Sequence, residues 1–208
     1  MPKVLLINGS PHEKGCVRVA FDEMIKVFDE CKVETELIQV GNKAIRGCIS
    51  CKSCEKNGKC VFDDLVNEVA AKFEKADGLV VGSPVYYGSP NGTLISFLDR
   101  LFYSTGFSKH MKVGAAVVSC RRGGNTASFD VLNKYFTISN MPVASSSYWN
   151  QIHGFTAEDA KKDLEGLQTM RNLAKNMSFM INAFANEKIK NPYPALELDM
   201  YTSFPDGK

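Results

Sequence analysis

Residues 76–102, ADGLVVGSPVYYGSPNGTLISFLDRLF, constrain the fold more than any other stretch, because an apolar strand, a Gly/Pro/Ser/Tyr loop and an amphipathic helix follow one another without a gap. Leu79, Val80 and Val81 form an unbroken apolar run, as expected of a strand covered on both faces by helices. From Asn91 the period becomes helical, with Leu94, Ile95, Leu98, Leu101 and Phe102 on one face. Taken alone, Tyr86 and Tyr87 read as half-buried loop aromatics. In a loop of small and ring-constrained residues they can also lie against a flat ligand that the backbone approaches closely. Strand, loop and helix in that order build half of a nucleotide site.

The unit recurs. Residues 3–7, KVLLI, run into NGSPHEKG, after which Val17, Ala20, Phe21, Met24, Ile25 and Phe28 return at helical spacing. The loop ends where a helix begins, so free backbone N–H groups and the positive end of the helix dipole are available to a phosphate, with Ser10, His12 and Arg18 as further donors. Neither a Walker Gly-Lys-Ser/Thr nor a G-x-G-x-x-G is present, which points to a mononucleotide. Residues 113–118 form another strand and empty into SCRRGGNT, followed by a helix with Phe129, Leu132 and Phe136. Residues 33–40 read as an edge strand, and Asp63 and Asp64 open a helix that buries Leu65, Val66, Val69, Ala70 and Phe73. Pro142-Val143-Ala144 begins a short fifth strand, and Thr156 with Asp159 caps a long last helix bearing Leu164, Leu167, Met170, Ala174, Met177, Ile181 and Phe184. Alternating strands and helices predict an α/β fold: a parallel sheet with helices on both faces and a ligand at the carboxyl ends of the strands, where loops 9–17, 83–92 and 119–126 meet.

A chain of 208 residues with 44% hydrophobic content suits one domain, residues 1–185, with an extension over 186–208. The extension carries three prolines and no helical period; it reads as a disordered tail, or, given Leu196, Leu198, Met200, Tyr201 and Phe204, as an arm docked on this or a neighbouring subunit. Twenty-five basic against twenty-three acidic residues leave a net charge of +2, which argues against a nucleic-acid partner. No apolar stretch approaches the ~20 residues of a membrane span and no signal-peptide order is seen, so a cytoplasmic protein is expected. His12, His110 and His153 are scattered and no G-x-S-x-G is present, so no catalytic side chain is assigned.

Four of the seven cysteines, Cys48, Cys51, Cys54 and Cys60, fall in one short segment, which favours reduced thiols or metal ligands over a disulfide framework. Three cysteines in consecutive C-x2-C steps closed by a fourth can wrap one 4Fe-4S cubane. Metal-free thiols are the equal alternative, and zinc, which more often uses two separated pairs, is the weaker one.

NGSPHEKG, GCISCKSCEKNGKCVFDD, the central stretch and SCRRGGNT, in that order, resemble the flavodoxin-like NADPH-dependent FMN reductase family over residues 1 to about 185, and within it the members with a cysteine insert such as the iron-sulfur flavoproteins. The resemblance implies a three-layer sandwich around a five-stranded parallel sheet in the order 2-1-3-4-5. It also implies FMN at the strand ends and a homodimer or homotetramer in which a neighbouring subunit helps cover the flavin. By position, Ser10, His12, Gly15, Cys16 and Val17 fall in the phosphate loop. Pro84, Val85, Tyr86, Tyr87 and Gly88, followed by Asn91, fall where the family holds the flavin ring, with Ser119, Arg121, Gly123 and Gly124 on its far side. The family's first loop usually reads Gly-Asn-Ser or Gly-Asn-Thr; here Gly15-Cys16-Val17 leaves the phosphate to backbone donors. The implied activity is transfer of a hydride from NADPH or NADH to FMN and of electrons onward to a quinone, nitro or azo compound or free flavin. The alternatives are an iron-sulfur electron carrier with protein partners and a flavin-free binding protein on the same fold. A carrier of the flavodoxin type is typically strongly acidic, which a charge of +2 does not match.

Overall fold

The computed structural model describes residues 1–198, 200 and 202. In chain order the elements are β1 (Lys3–Asn8), α1 (Cys16–Glu30), β2 (Glu34–Gln39), α2 (Ser53–Asn57), α3 (Leu65–Lys75), β3 (Gly78–Tyr86), β4 (Ser89–Pro90), α4 (Gly92–Ser104), β5 (Val113–Cys120), α5 (Asn125–Ile138), β6 (Gln151–His153), α6 (Ala157–Ala160) and α7 (Leu164–Lys190). Five strands pair in parallel in the order β2-β1-β3-β5-β6. This is the flavodoxin-like order anticipated from the sequence, with one strand more, since β4 pairs antiparallel with the end of β3.

Strand alternation sorts the core into two layers. Val4, Leu6, Val80, Val113, Ala115 and Val117 point to the face covered by α1 and α7. Leu5, Ile7, Leu79, Val81, Ala116 and Val118 point to the opposite face, where α3, α4 and α5 supply Phe73, Phe97, Leu101 and Phe136. Burial on both faces is why these strands read as continuous apolar runs.

Three expectations are corrected. The fifth strand is Gln151–His153, paired with Val118, Ser119 and Cys120. The segment at Pro142 makes only an isolated bridge between Val143 and Gly114, because the polar run Ser145-Ser146-Ser147 leaves the sheet before the chain returns with the fully buried Ile152. Thr156 and Asp159 do form a reciprocal capping box, but it opens the short α6; α7 starts anew behind Asp163, whose side chain accepts from the Gly166 N–H. Leu164 is consequently exposed.

Nor does the helical pattern stop at residue 185, since α7 runs to Lys190. The chain beyond it begins by docking on its own subunit: the Tyr193 ring meets His110 edge-on at 6.0 Å, and His110 Nε2 lies 3.1 Å from the Pro194 carbonyl oxygen. Leu198 and Met200 are exposed; Tyr201 and Phe204 lie outside the described residues.

Candidate functional site

At the carboxyl edge of the sheet lies a cavity of about 990 Å³. Its first wall is the loop from β1 to α1. Ser10 is buried; its backbone N–H donates to Asn8 Oδ1 and its hydroxyl oxygen accepts from the His12 N–H, so the hydroxyl proton is free to point outward. Gly15 occupies the N-cap position in extended conformation, and no side chain caps the helix behind it. The N–H groups of the first turn are therefore open to an anion, and the helix dipole adds to their pull.

Cys16 lines the cavity and leans sideways, its Sγ 3.2 Å from the Thr156 carbonyl and 3.6 Å from that of Gly154. Burial pushes its thiol pKa up, and the same cause raises that of Cys120, which shares the cavity. Two uncharged sulfurs therefore face the ligand space. Val17 does not: its side chain is fully buried in the core, so only its N–H can serve the site. Arg18 is turned along α1 to Asp22, 2.6 Å away.

The second wall is the end of β3. Pro84, Val85 and the half-exposed Tyr86 border the cavity. Tyr87 and Gly88 do not; they are the two central residues of a tight hairpin closed by β4, both with positive φ (50° and 82°) as such a turn requires. Tyr87 projects wholly into solvent. Asn91 is also outside the cavity and is a joint of the scaffold: its Nδ2 donates to the Gly9 carbonyl at 2.6 Å, its Oδ1 accepts from the Thr93 N–H at 3.1 Å, and its own N–H donates to Ser83 Oγ at 2.9 Å.

Ser119 and Arg121 form the third wall. Arg122 and Gly123 are exposed and do not line the cavity. Gly124, at φ 83°, lets the loop touch the hairpin; a Cβ there would stand 2.7 Å from Gly88 Cα. A fourth wall was not anticipated from the sequence. Gly154, Phe155 and Thr156, between β6 and α6, and Ala157 and Glu158, in the first turn of α6, close a further side, and Asn42 adds to the rim. This wall follows directly on β6, whose sequence signal is the isolated apolar Ile152 before Gly154.

The four clustered cysteines border a separate pocket, shared with Phe62, Arg100 and Tyr103. Cys48 and Cys51 are exposed, Cys54 and Cys60 half-buried, and all four are free thiols. They ring the pocket; among the described residues no three His, Cys, Asp or Glu side chains already converge on a single point. The donor set, four thiols with apolar neighbours and a buried cation behind them, has the soft-ligand chemistry of an iron-sulfur group. Arg100, 1% exposed in the middle of α4, was not anticipated from the sequence; its signal is an arginine three residues after Phe97 on an otherwise apolar stripe. Among the described residues none lines both pockets.

The family described as NADPH-dependent FMN reductase matches residues 2–155. An iron-sulfur flavoprotein of Methanocaldococcus jannaschii is 34% identical over 187 residues, covering 86% of this chain and 97% of that one. Among solved structures, RosB with a bound formylated riboflavin phosphate superposes with a TM-score of 0.71 at 14% identity, over 99% of this chain and 93% of that one. A flavodoxin from the domain Archaea superposes with a TM-score of 0.57 at 14% identity, over 86% and 99%. Among the described residues no helix is long and apolar enough to cross a membrane.

Proposed function

The chain belongs to the NADPH-dependent FMN reductase family, is similar within it to the iron-sulfur flavoproteins, and from that premise we propose a specific electron path. It is a flavin-dependent oxidoreductase; in our reading the cavity would hold FMN, which would supply acceptance of a hydride from NADPH or NADH, and Cys48, Cys51, Cys54 and Cys60 would hold a 4Fe-4S cluster, which would supply electron transfer onward to a small-molecule acceptor. The observation that carries the reading is the 990 Å³ cavity, which joins an uncapped helix N-terminus to a Pro-Val-Tyr strand end.

FMN, when bound, supplies hydride acceptance and the release of electrons singly. The protein supplies placement. The phosphate would rest on the first-turn N–H groups of Cys16, Val17 and Arg18 and on the Ser10 hydroxyl. The neutral Cys16 thiol replaces the amide or hydroxyl common in the family, and its bonds to the Gly154 and Thr156 carbonyls tie the phosphate loop to the fourth wall. The ring would lie along Pro84, Val85 and Tyr86 with Ser119 and Arg121 behind it, and the Arg121 cation favours negative charge accumulating on the ring. Phe155, exposed where it lines the cavity, and Tyr87, exposed on the neighbouring hairpin, suit cover by a second copy, in keeping with a cytoplasmic homodimer or homotetramer.

Protein purified without oxygen is expected to carry one FMN with about four irons and four sulfides per chain and to oxidise NADPH with a quinone or nitro acceptor. A second reading, an electron carrier between proteins, is favoured by the separation of the two pockets; reduction by a protein donor with no NADPH oxidation would select it. Protein without flavin would refute both.

A further inference from the structure

We propose that Arg100 is a positioning residue of the four-cysteine site, one that presents Cys60 as the pre-placed ligand and donates a hydrogen bond to its sulfur so as to favour the reduced cluster. The inference rests on the cluster reading above. A guanidinium carries five N–H donors in a fixed fork, and each of the five meets an acceptor. Nε donates to Cys60 Sγ at 3.3 Å; Nη1 donates to Asp64 Oδ2 at 2.7 Å and to the Arg46 carbonyl at 3.3 Å; Nη2 donates to Asp64 Oδ1 at 2.9 Å and to the Phe62 carbonyl at 3.4 Å. One side chain thus gathers the entry of the cysteine segment at Arg46 and its exit at Cys60, Phe62 and Asp64 onto α4.

Burying a cation is costly unless every donor is used well, and a neutral thiol is a weak acceptor. Aiming Nε at a sulfur is therefore poorly explained by scaffolding alone, and well explained if that sulfur carries ligand charge. Cys60 is also held at both of its backbone groups by one side chain: its N–H donates to Asn67 Oδ1 and its carbonyl accepts from Asn67 Nδ2, both at 3.0 Å. Hydrogen bonds to ligand sulfurs and nearby positive charge both stabilise the more negative, reduced state of a cluster and raise its potential.

The test is an anaerobic redox titration, followed by electron paramagnetic resonance, of the full-length protein reconstituted with iron and sulfide, as wild type, Arg100→Gln and Asp64→Asn. Asp64 is the N-cap of α3, accepting from the Val66 N–H at 3.1 Å, and asparagine keeps that bond while removing the charge that offsets Arg100. Arg100→Gln is expected to lower the reduced-to-oxidised ratio about tenfold at the wild-type midpoint, a shift of about 59 mV to more negative potential for a one-electron couple. Asp64→Asn is expected to shift it the opposite way. A merely structural pair would not give opposite signs. Iron-loaded variants with unmoved midpoints, or midpoints moving together, overturn the inference alone. Loss of iron from both variants with FMN retained reduces Arg100 to a scaffold residue and also overturns it. Wild-type protein that holds FMN but takes up no iron overturns the cluster reading itself, and this inference with it.

Discussion

Asn91→Ala should cost both stability and flavin affinity, although the side chain never reaches the cavity. The residue is 7% exposed and holds three segments together: β3 through Ser83, α4 through Thr93 and the phosphate loop through Gly9. Alanine removes an N-cap acceptor, worth about 1 kcal/mol, and leaves the buried Gly9 carbonyl without its amide donor, worth about 1–3 kcal/mol. The sum is about 2–4 kcal/mol, a fall in Tm on the order of 5–15 °C for a domain of this size. Asn91→Asp sharpens the argument. A carboxylate keeps the cap for Thr93 but sets a second oxygen against the Gly9 carbonyl at the present 2.6 Å separation, so it should be no more stable than alanine despite being a good N-cap residue. Urea unfolding of the flavin-free proteins measures the first quantity and quenching of FMN fluorescence the second. An aspartate variant with wild-type stability and FMN affinity would refute the role of this joint.

Three further outcomes are expected. Gly15→Glu should abolish FMN retention in gel filtration, since a Cβ there already stands 3.1 Å from His12 Cβ and a carboxylate would oppose the phosphate; retention at the wild-type level would remove the phosphate from this loop. Arg121→Ala should lower the flavin potential or raise KM for NADPH while Arg122→Ala changes neither, because only Arg121 borders the cavity; spectroelectrochemistry and steady-state kinetics on the two single variants decide it. Glu23, in α1, is opposed by burial, but its hydrogen bonds with Arg171 of α7 and with Lys26 outweigh that and hold its pKa below the ordinary 4.5. Its contribution is thus full above that ordinary value and is lost as pH falls through the lowered one. The urea-midpoint gap between wild type and Glu23→Gln should therefore persist from pH 7 to pH 5 and close in stronger acid, and a gap that instead widened in acid would contradict the pairing.

The layers were legible because strands buried on both faces carry unbroken apolar runs, as β1, β3 and β5 do, whereas the strand order came from the family resemblance. What the sequence hid was local closure. Tyr86 and Tyr87 look alike in a string of letters, yet the two-residue β4 turns the backbone so that one faces the cavity and the other solvent. The capping box at Thr156 was visible, but not that the backbone at Asp163, with ψ 80°, would interrupt the helix and leave α6 as a wall of the site. The cysteine segment declared its chemistry by spacing. The cation behind it sits on another element, and an arginine within a helix shows its partners only once the chain is folded.

Whether FMN occupies the cavity between these walls is decided by amide hydrogen exchange on the flavin-stripped protein with and without FMN. Slowed exchange is expected at residues 9–18, 84–88, 119–124 and 154–158, and none around His110 and Tyr193 at the opposite edge of the sheet. Unchanged exchange in those four segments with flavin demonstrably bound, or protection centred on the opposite edge, would contradict it.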